Sequence, residues 1–411
     1  MKQKVVIVGG VAGGATAAAR LRRLNEDAEI ILIERGPSIS YANCGLPYYV
    51  GDVIKSRDAL FVQTPKSMKD KFNIDVRVLQ EVTRIDRDAK TVEVRNLEKD
   101  ETYTESYDVL VLSTGSSPLR PPIPGIDADR ILTLWNVADT DRIKESIEKW
   151  NVKTATVVGG GFIGLEMAEN LHSRGIHVTI VEMLDQVMAP LDFEMAQLLH
   201  ENLGQNGVKL HLSDGVSTFE NKEKSVLIHL TSGAQVESEL VILSIGVRPN
   251  SQLAKEAGLE LNARGGVVTD ATLKTSDPNI YAVGDVTQVE DFISKQPTMI
   301  PLAGPANKQG RIAANNIAGS AEEYKGSQGT SVAKVFDLTA ASTGANEKTL
   351  IRQGLVKGKD YETLIINQNS HASYYPGATP MRLKMIFSMT ERKSMALKSW
   401  VSMVWISGSI R

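Results

Sequence analysis

Cysteine is almost absent from this sequence: Cys44 is the only one in 411 residues. A single thiol cannot form an internal disulfide, so the chain is not a disulfide-stabilised scaffold. Cys44 is therefore either a packed apolar residue, as free cysteines often are, or a reactive thiol. We favour a redox or nucleophilic thiol, because Cys44 follows a nucleotide-binding pattern and stands where a helix can begin. A helix N-terminus would favour the thiolate form.

Long apolar runs and an excess of charge of either sign are also missing. No run approaches the roughly 18 residues of a membrane-spanning helix, and the chain begins without the basic and apolar regions of a signal peptide. The 46 basic and 49 acidic residues are interspersed and give a net charge of −3, which indicates neither nucleic-acid nor membrane binding. The histidines have no metal-ligand spacing, so we expect no metal. These observations predict a soluble, cytoplasmic protein.

A glycine-rich loop near the N-terminus joins two apolar segments. The pattern is typical of dinucleotide binding, because the glycines let the backbone approach a pyrophosphate, the helix N-terminus attracts it and the acid accepts from a ribose hydroxyl. Val11 occupies the place of the middle glycine, so this loop alone would also fit a tight structural turn. In chain order we predict a strand, the loop, a helix, a second strand and its terminal acid at Lys4–Val8, Gly9–Gly14, Ala15–Leu24, Ile30–Ile33 and Glu34.

The same pattern returns about 150 residues later, and here Gly159, Gly161 and Gly164 match all three glycine positions of G-x-G-x-x-G. Two such loops together predict two bound dinucleotides. Glu182 would accept from a free ribose hydroxyl and repel a 2′-phosphate, which favours NAD over NADP. The predicted strand, loop, helix, strand and acid are Ala155–Val158, Gly159–Gly164, Leu165–Leu171, His177–Val181 and Glu182.

Two apolar segments that close on a glycine, Tyr107–Gly115 and Glu239–Gly246, each follow one loop at a similar distance. This spacing indicates an internal duplication, with Pro118–Pro124 as the linker between the copies. Thr275–Asp285 then predicts a turn, a short strand and a Gly-Asp end. The carboxylate of Asp285 could accept from a sugar-alcohol hydroxyl, act as a helix N-cap, or do both. A helix is predicted further along the chain at Pro301–Ile317.

The last part of the chain changes character. Residues 328–390 predict a β-rich third domain with strands at Val332–Phe336, Thr339–Thr343, Tyr361–Asn367 and Leu383–Phe387. Residues 393–411 do not continue this pattern. A DNA sequence that encodes them can be read in a second frame as a coherent continuation of such a domain, so we hypothesise a frame shift near Arg392.

Taken together, these motifs resemble the FAD-dependent pyridine nucleotide–disulfide oxidoreductases over roughly residues 4–390. The motif at Ser40, Asn43 and Cys44 is similar to that of the single-cysteine branch, which includes coenzyme A-disulfide reductases and NADH-dependent persulfide reductases. The resemblance implies an α/β fold with two Rossmann-like dinucleotide-binding domains, for FAD and NAD, and an incomplete α+β interface domain. The implied boundaries are 1–149 with 267–327 for the FAD-binding domain, 150–266 for the NAD-binding domain, 328–392 for the truncated interface or dimerisation domain, and 393–411 for the aberrant tail.

The resemblance also implies site residues. Cys44 would be the catalytic thiol, with Ser40 and Asn43 placing the substrate. Tyr374 or Tyr375 would reach the partner subunit's site, or both would be aromatic core. Phe162 would cover the flavin near Glu166, or pack in the core. The residues implied for FAD are Gly9, Gly10, Val11, Ala12, Gly13, Gly14, Glu34, Arg35, Val82, Ser113, Thr114, Gly115, Gly284 and Asp285. Those for NADH, or less readily NADPH, are Gly159, Gly161, Phe162, Ile163, Gly164, Glu166, Glu182 and Gly246. Coenzyme A phosphates would contact Thr16, Arg20, Arg23 and Lys71, unless these form an ordinary solvated face.

The implied reaction carries electrons from NADH through FAD to Cys44 and reduces a disulfide, persulfide or polysulfide of the coenzyme A type. Two alternatives stay open. Cys44 could cycle through a sulfenic acid, as in NADH peroxidases and oxidases, although that branch usually has a histidine in the first loop. The truncated chain could instead bind dinucleotides with little or no turnover. A homodimer is expected of the family, and the truncated interface domain argues against it here.

Overall fold

The computed structural model describes residues 2–389 and the backbone of residues 400–405. Strands and helices alternate along most of the chain, which confirms the predicted α/β class. None of the helices in the described part of the chain combines the length and apolar character needed to cross a membrane. The chain divides into two compact units, Met1–Asn43 with Arg57–Ser117 and Val247–Ser327, and Cys44–Ser56 with Pro118–Gly246 and Gln328–Arg411. The three-domain boundaries given above stay a prediction.

A parallel sheet forms the centre of the first unit. Along its middle strand, Val5 and Ile7 pack into one apolar cluster and Val6 and Val8 into another. Both faces of the sheet are therefore covered, which explains why this strand is apolar throughout rather than alternating. The strands in spatial order are Ile280–Ala282, Val109–Leu112, Lys4–Val8, Glu29–Glu34 and Asp75–Val78.

Two helices of the first unit, Ala12–Leu24 and Ala303–Ile317, pack closely along each other. A Cβ at Gly310 would lie 2.3 Å from the carbonyl oxygen of Gly13, so only glycine fits at this crossing. The remaining helices of this unit are Pro65–Phe72, Gln252–Glu256 and the 3₁₀ turn Arg57–Leu60, and its short strands are Ser116–Pro118, where the chain leaves the unit, Val247–Pro249, Val289–Glu290 and Pro297–Thr298.

The second unit contains a parallel sheet of the same kind. Its middle strand, Thr154–Val158, is flanked by His177–Val181 and Leu240–Leu243, as Lys4–Val8 is flanked in the first unit. The strands in spatial order are Lys209–His211, His177–Val181, Thr154–Val158, Leu240–Leu243 and Ile131–Leu132. The helices are Leu46–Val50, Val137–Lys149, Phe162–Ser173, Phe193–Gln205 and Glu347–Arg352.

Each parallel sheet is accompanied by a three-stranded antiparallel sheet that the sequence analysis did not predict. In Thr91–Asn96 the buried Val92 and Val94 alternate with outward-facing neighbours, which is the period-two pattern of a half-buried strand. The duplication therefore includes these two antiparallel sheets as well as the glycine loops. The strands are Gln80–Asp86, Thr91–Asn96 and Glu101–Ser106 in the first unit, and Val216–Asn221, Val226–Leu230 and Gln235–Ser238 in the second.

Residues 328–389 contribute most of an antiparallel sheet, and the predicted β-rich character of this segment is correct. The predicted strand Val332–Phe336 ends one residue too late, because Phe336 is in a turn with φ +51°. The backbone of Trp400–Trp405 adds a strand that was not predicted, and the rest of the segment interpreted as an aberrant tail lies outside the described residues. The spatial order is Ser331–Val335, Leu338–Thr343, Trp400–Trp405, Pro380–Ser388 and Tyr361–Asn369.

Both helices that follow the glycine loops begin three residues earlier than predicted, at Ala12 instead of Ala15 and at Phe162 instead of Leu165. The physical reason is that the amides of a helix's first turn have no intrahelical partner, so glycines there cost the helix little. The last loop glycine, Gly14 or Gly164, is therefore already helical.

A buried ammonium group joins three segments of the second unit. Lys384 is fully buried, and its Nζ lies 2.8 Å from Asp192 Oδ2 and also contacts the carboxylates of Glu194 and Glu347. These acids are the group within the described residues whose oxygens lie close enough together for a metal ion. The lysine ammonium lies among them, so we interpret the cluster as a buried ion-pair network.

We predict that Lys384→Met will strongly destabilise the second unit, because it takes the buried ammonium away from three crowded carboxylates, of which Glu347 keeps an ion pair with Lys357. The free energy of unfolding should fall by roughly 3–5 kcal/mol, the usual cost of breaking a buried ion pair by removing one partner. Denaturant unfolding of the variant and of Lys359→Met, which changes an exposed lysine, measures the difference. Equal loss in both variants would contradict the network.

Candidate active site

Backbone contacts with the neighbouring strand and helix hold the first glycine loop in place. The amide of Gly9 donates to the carbonyl of Ile33 at 2.8 Å, and Gly9 has φ +99°, a conformation that favours glycine. A Cβ on Gly14 would lie 1.9 Å from the carbonyl oxygen of Gly9. Substitution at Gly14 would therefore push the helix away from the strand, as expected for the last glycine of a dinucleotide loop.

The acid at the end of the second strand is bound to this loop. Glu34 accepts from the amide of Gly10 through Oε2 at 2.8 Å and from the amide of Gly36 through Oε1 at 2.7 Å. Both hydrogen bonds fix the carboxylate beside the loop, where a ribose would lie in a bound dinucleotide. Arg35 is exposed, with Nη1 3.4 Å from Glu81 Oε1, and Val82 is buried.

The second loop repeats this geometry almost atom for atom. The amide of Gly159 donates to Val181 at 2.8 Å, and a Cβ on Gly164 would lie 2.0 Å from the carbonyl oxygen of Gly159. Glu182 accepts from the amide of Gly160 at 2.6 Å and from the amide of Leu184 at 2.8 Å. The predicted duplication thus includes the acid and its two hydrogen bonds.

Both loops have the donors that a pyrophosphate requires. In the part of the chain described, neither Val11 nor Gly161 caps its helix through a side-chain hydrogen bond, so the first-turn amides are available to an anion. A Cβ on Gly161 would meet no atom of the described residues within 4 Å. Protein packing therefore does not explain this glycine, whereas close approach of a pyrophosphate does. The residues present fit two dinucleotides.

The strand–glycine segments lie beside their loops. A Cβ on Gly9 would lie 2.1 Å from the carbonyl oxygen of Ser113, and in the second unit a Cβ on Gly159 would lie 2.5 Å from that of Ser244. Ser244 was not predicted as a site residue, although its place in the duplicated pattern matches Ser113. Gly115 and Gly246 follow at φ +65° and +114°.

The predicted Gly-Asp end lies in the first unit. Asp285 accepts from the hydroxyl of Ser116 at 2.8 Å, and burial raises the pKa of its carboxyl despite this bond. Gly284 is held by its amide, which donates to Gln309 Oε1 at 2.6 Å. Gln309 was missed because an amide side chain within a helix carries no sequence signal. Thr114 is fixed separately, since its Oγ1 donates to the carbonyl of Asn250 at 2.8 Å.

The segment that bears the thiol passes from the first unit into the second. Ser40 has φ +45°, and its amide donates to the carbonyl of Gly10 at 2.9 Å. Met188, at φ +51°, makes the same bond to Gly160, so the backbone of Ser40 belongs to the duplicated loop. Asn43 begins a 3₁₀ turn, Asn43–Gly45, and Cys44 is exposed. The thiol is therefore accessible and not part of the apolar core.

The net pKa shift of Cys44 is opposite to the one expected from a helix N-terminus, although a backbone hydrogen bond does lower the pKa of the thiol. Partial desolvation and then the nearby carboxylate of Glu166 raise the pKa of the Cys44 thiol above its ordinary value. The following helix, Leu46–Val50, is only five residues long, too short to offset these effects. Tyr48 on that helix hydrogen-bonds Glu166.

Glu166 is itself close to a protonation change at neutral pH. Burial, followed by the charge of Glu169, raises the pKa of Glu166 to about 7, and the hydrogen bond with Tyr48 acts in the opposite direction. A carboxyl group whose pKa lies near 7 and whose charge acts on an accessible thiol is the arrangement expected where protons move during a reaction. Phe162 and Ile163, at the start of the same helix, are half-buried.

The helix after Cys44 is fastened at its other end. Lys144 Nζ donates to the carbonyl of Tyr49 at 3.0 Å and binds Asp52, while Arg174 Nη1 donates to the carbonyl of Val50 at 3.3 Å. Cations at the C-terminal carbonyls of a helix are stabilising. A Cβ on Gly51 would lie 2.1 Å from Asn170 Oδ1, so this turn also packs tightly on the helix Phe162–Ser173.

The residues suggested for coenzyme A phosphates lie on or near the helix Ala12–Leu24 of the first unit. Thr16 donates to Asn307 Oδ1 and Arg20 Nε to Asn315 Oδ1, each at 2.8 Å. Arg23 lies over the ring of Phe72 at 5.1 Å, and Lys71 is exposed. Arg20 is thus held by an amide, while Arg23 and Lys71 keep charge at the surface.

Tyr374 and Tyr375 lie in the loop between the strands Tyr361–Asn369 and Pro380–Ser388. They are 90% and 66% exposed, which rules out the alternative of aromatic core. The ring of Tyr375 meets that of His371 edge-on at 5.7 Å. Their predicted place in a partner subunit's site stays a prediction.

Comparison with known proteins gives a consistent result. The pyridine nucleotide-disulphide oxidoreductase family matches residues 3–310. The coenzyme A disulfide reductase of Staphylococcus epidermidis is 36% identical over 391 residues, covering 95% of this chain and 86% of its own. Reduced CoADR-RHD of Bacillus anthracis superposes with a TM-score of 0.94 at 51% identity, covering 98% of this chain and 71% of its own. An NAD-dependent persulfide reductase of A. fulgidus superposes at 0.93 with 36% identity, covering 98% and 74%.

Gly161 and Gly164 offer a matched pair of substitutions. We predict that Gly161→Ala will keep its stability within about 1 kcal/mol, since alanine is only a poorer helix cap, but will weaken NADH binding roughly tenfold or more. Gly164→Ala should instead lose stability by roughly 1–3 kcal/mol through overpacking. Thermal unfolding and NADH titration of both variants measure the two effects. Unchanged NADH affinity in Gly161→Ala would contradict the loop assignment.

Glu166→Gln removes the negative charge beside Cys44. The thiolate should then form at lower pH, because it no longer faces a carboxylate, and alkylation by iodoacetamide at pH 8 should accelerate roughly twofold to fivefold. Since the chain has no other cysteine, mass spectrometry of the whole protein reports this one thiol. Glu145→Gln, at an exposed acid on the helix Val137–Lys149, is the control. A slower reaction in Glu166→Gln would overturn the assigned charge effect.

Proposed function

Because the chain belongs to the pyridine nucleotide-disulphide oxidoreductase family, we propose that it uses NADH, FAD and Cys44 to reduce a disulfide or persulfide of the coenzyme A type. Members of this family are FAD-dependent enzymes that use NAD(H). The observation that carries the proposal is the thiol: Cys44 is the chain's single cysteine, is accessible, and precedes a helix fastened to the second loop's helix.

The first loop, Glu34 and Asp285 would hold FAD, and the second loop with Glu182 would hold NADH. When bound, FAD would supply the conversion of a hydride from NADH into an electron pair usable by sulfur. Glu182 supports NADH over NADPH, because its carboxylate is already fixed by two amides and would repel a 2′-phosphate.

Cys44 performs the covalent step. Its thiolate attacks one sulfur of the substrate disulfide, the sulfur–sulfur bond breaks, and the second sulfur leaves as a thiolate while a mixed disulfide forms on Cys44. Two electrons then release the first sulfur and restore the Cys44 thiolate. Overall, NADH, one proton and a disulfide give NAD⁺ and two thiols. With a persulfide the products are one thiol and hydrogen sulfide.

A coenzyme A-type substrate is supported by the basic residues of the first unit. Arg23 and Lys71 are exposed and can meet phosphates, while Arg20 and Thr16 are already oriented by Asn315 and Asn307. The relatives named for coenzyme A disulfide and persulfide support the same class. We also propose the family's homodimer, with Tyr374 and Tyr375 exposed to meet a partner.

Steady-state NADH oxidation tests the proposal against a panel of acceptors. We expect turnover with coenzyme A disulfide or coenzyme A persulfide, much less with pantethine, which has the same disulfide without the nucleotide phosphates, and little with hydrogen peroxide. Cys44→Ser should lose the sulfur activity at least roughly a thousandfold, since no thiol remains to break the bond. Its flavin absorbance spectrum should be unchanged.

Other results would replace the proposal. Faster turnover with peroxide or oxygen would assign Cys44 to sulfenic acid chemistry. Equal turnover of pantethine and coenzyme A disulfide would remove the phosphate contacts. A yellow, monomeric protein that oxidises no NADH with any acceptor would support the binding-only alternative, and gel filtration separates that case from an inactive dimer.

A further inference from the structure

A histidine side chain holds the segment 183–188, which follows Glu182 in the second unit. His200, on the helix Phe193–Gln205, accepts through Nε2 from the backbone amide of Val187 at 3.1 Å. Val187 is fully buried, and no other acceptor among the described residues receives this amide hydrogen. An unpaired buried amide is costly, so the imidazole is the group that allows Val187 to lie inside the protein.

Val187 in turn packs on the second glycine loop. A Cβ on Gly160 would lie 2.8 Å from Val187 Cγ1, and the next residue, Met188, donates its amide to the carbonyl of Gly160 at 2.8 Å. The amide of Gly160 donates to Glu182, the acid that lies where a ribose would be in a bound dinucleotide. His200 therefore acts, through a single residue, on the loop and the acid that we assign to NADH.

Polar contacts hold the rest of the segment 183–188. Met183 and Leu184 are exposed, and the amide of Leu184 donates to Glu182 at 2.8 Å. Gln186 is buried, and its Oε1 accepts from Lys348 Nζ at 2.8 Å. The position of the segment thus depends on directional hydrogen bonds, and the loss of one partner is enough to loosen it.

The hydrogen bond of His200 requires one protonation state. An amide N–H can only donate, so Nε2 carries no proton and the neutral ring is protonated at Nδ1. Burial lowers the pKa of His200 below its ordinary value, and the charge of Asp185 opposes this effect. The neutral ring therefore prevails at neutral pH and is lost in acid. Other ionisable groups around this part of the helix are Glu201 beside His200, Lys209 and His211 on the strand Lys209–His211, and Lys348.

We propose that His200 is a positioning residue for NADH: its neutral ring holds Val187 against the second glycine loop, and a protonated ring releases it. A protonated Nε2 is a donor that faces another donor, so repulsion replaces the hydrogen bond. Dinucleotide affinity at the second loop should therefore fall in acid. The inference rests on the proposed function in assigning this loop to NADH.

The experiment titrates the full-length protein, with its flavin bound, with ADP-ribose from pH 8 to pH 5. This probe has the adenine, ribose and pyrophosphate of NADH without the acid-labile dihydronicotinamide, and the flavin occupies the first loop. Wild-type affinity should fall about threefold to tenfold over this range, as expected for one lost hydrogen bond. His200→Gln should bind nearly as tightly at pH 8 and lose most of the pH dependence, because an amide oxygen accepts at any pH. His200→Leu should already be weaker at pH 8, by a similar factor.

Hydrogen exchange separates a loosened segment from general unfolding. In His200→Leu at pH 8, the amides of 183–188 should exchange about fivefold faster or more, whereas those of the helix Phe162–Ser173 should keep the wild-type rate. His229→Gln, on the antiparallel strand Val226–Leu230, is the matched control and should behave like the wild type in both measurements.

Two results would overturn the inference and leave the NADH site intact. One is equal ADP-ribose affinity in His200→Leu and the wild type, and the other is an undiminished pH dependence in His200→Gln. A wild-type protein that binds no ADP-ribose at any pH would instead overturn the NADH site of the proposed function, and the inference with it.

Discussion

Each glycine loop depends on a backbone approach that leaves no room for a side chain. The carbonyl oxygen of Gly9 lies where a Cβ of Gly14 would be, and Gly159 and Gly164 repeat the contact. This approach sets the angle between strand and helix, so the first-turn amides meet at one point. The acid that ends the neighbouring strand then binds the remaining loop amide. The proposed binding of a pyrophosphate and of a ribose would therefore both follow from one steric constraint that appears twice in the chain.

The segment that bears Cys44 first follows the duplicated loop pattern and then departs from it. Up to Ser40 the backbone follows the same course as the segment at Met188 in the second copy, even in its left-handed residue. Beyond Asn43 the first copy departs from the pattern, and a turn and a short helix carry Cys44 onto the second unit. The thiol that we propose as the reacting group thus lies where the symmetry of the duplicated loops ends.

The sequence predicted what short stretches of chain determine. The loops, their acids and the middle strands follow from glycine spacing and apolar runs, and their placement agrees within a few residues. The environment of Cys44 could not be predicted, because the partial desolvation of the thiol and the carboxylate of Glu166 both depend on distant segments of the chain. Together they outweigh the effect expected of a helix N-terminus and raise the pKa of the thiol. The Lys384 network joins segments that carry no common motif. The antiparallel sheets are a different case. The alternation of apolar and polar residues around Val92 is visible in the sequence and is typical of a strand, but no strand was predicted there.

The buried ammonium of Lys384 has a consequence for the order of folding. Its carboxylate partner Glu194 precedes it by 190 residues in the chain. During synthesis, at roughly 5–20 residues per second, this acid and Asp192 emerge many seconds before their counter-ion and must stay hydrated until it arrives. The nucleotide-binding part of the second unit can form meanwhile. Until Lys384 has been synthesised, however, the surface that receives the last sheet carries the carboxylates of Asp192 and Glu194 without this ammonium group. The last sheet therefore packs onto this surface late in the synthesis of each molecule.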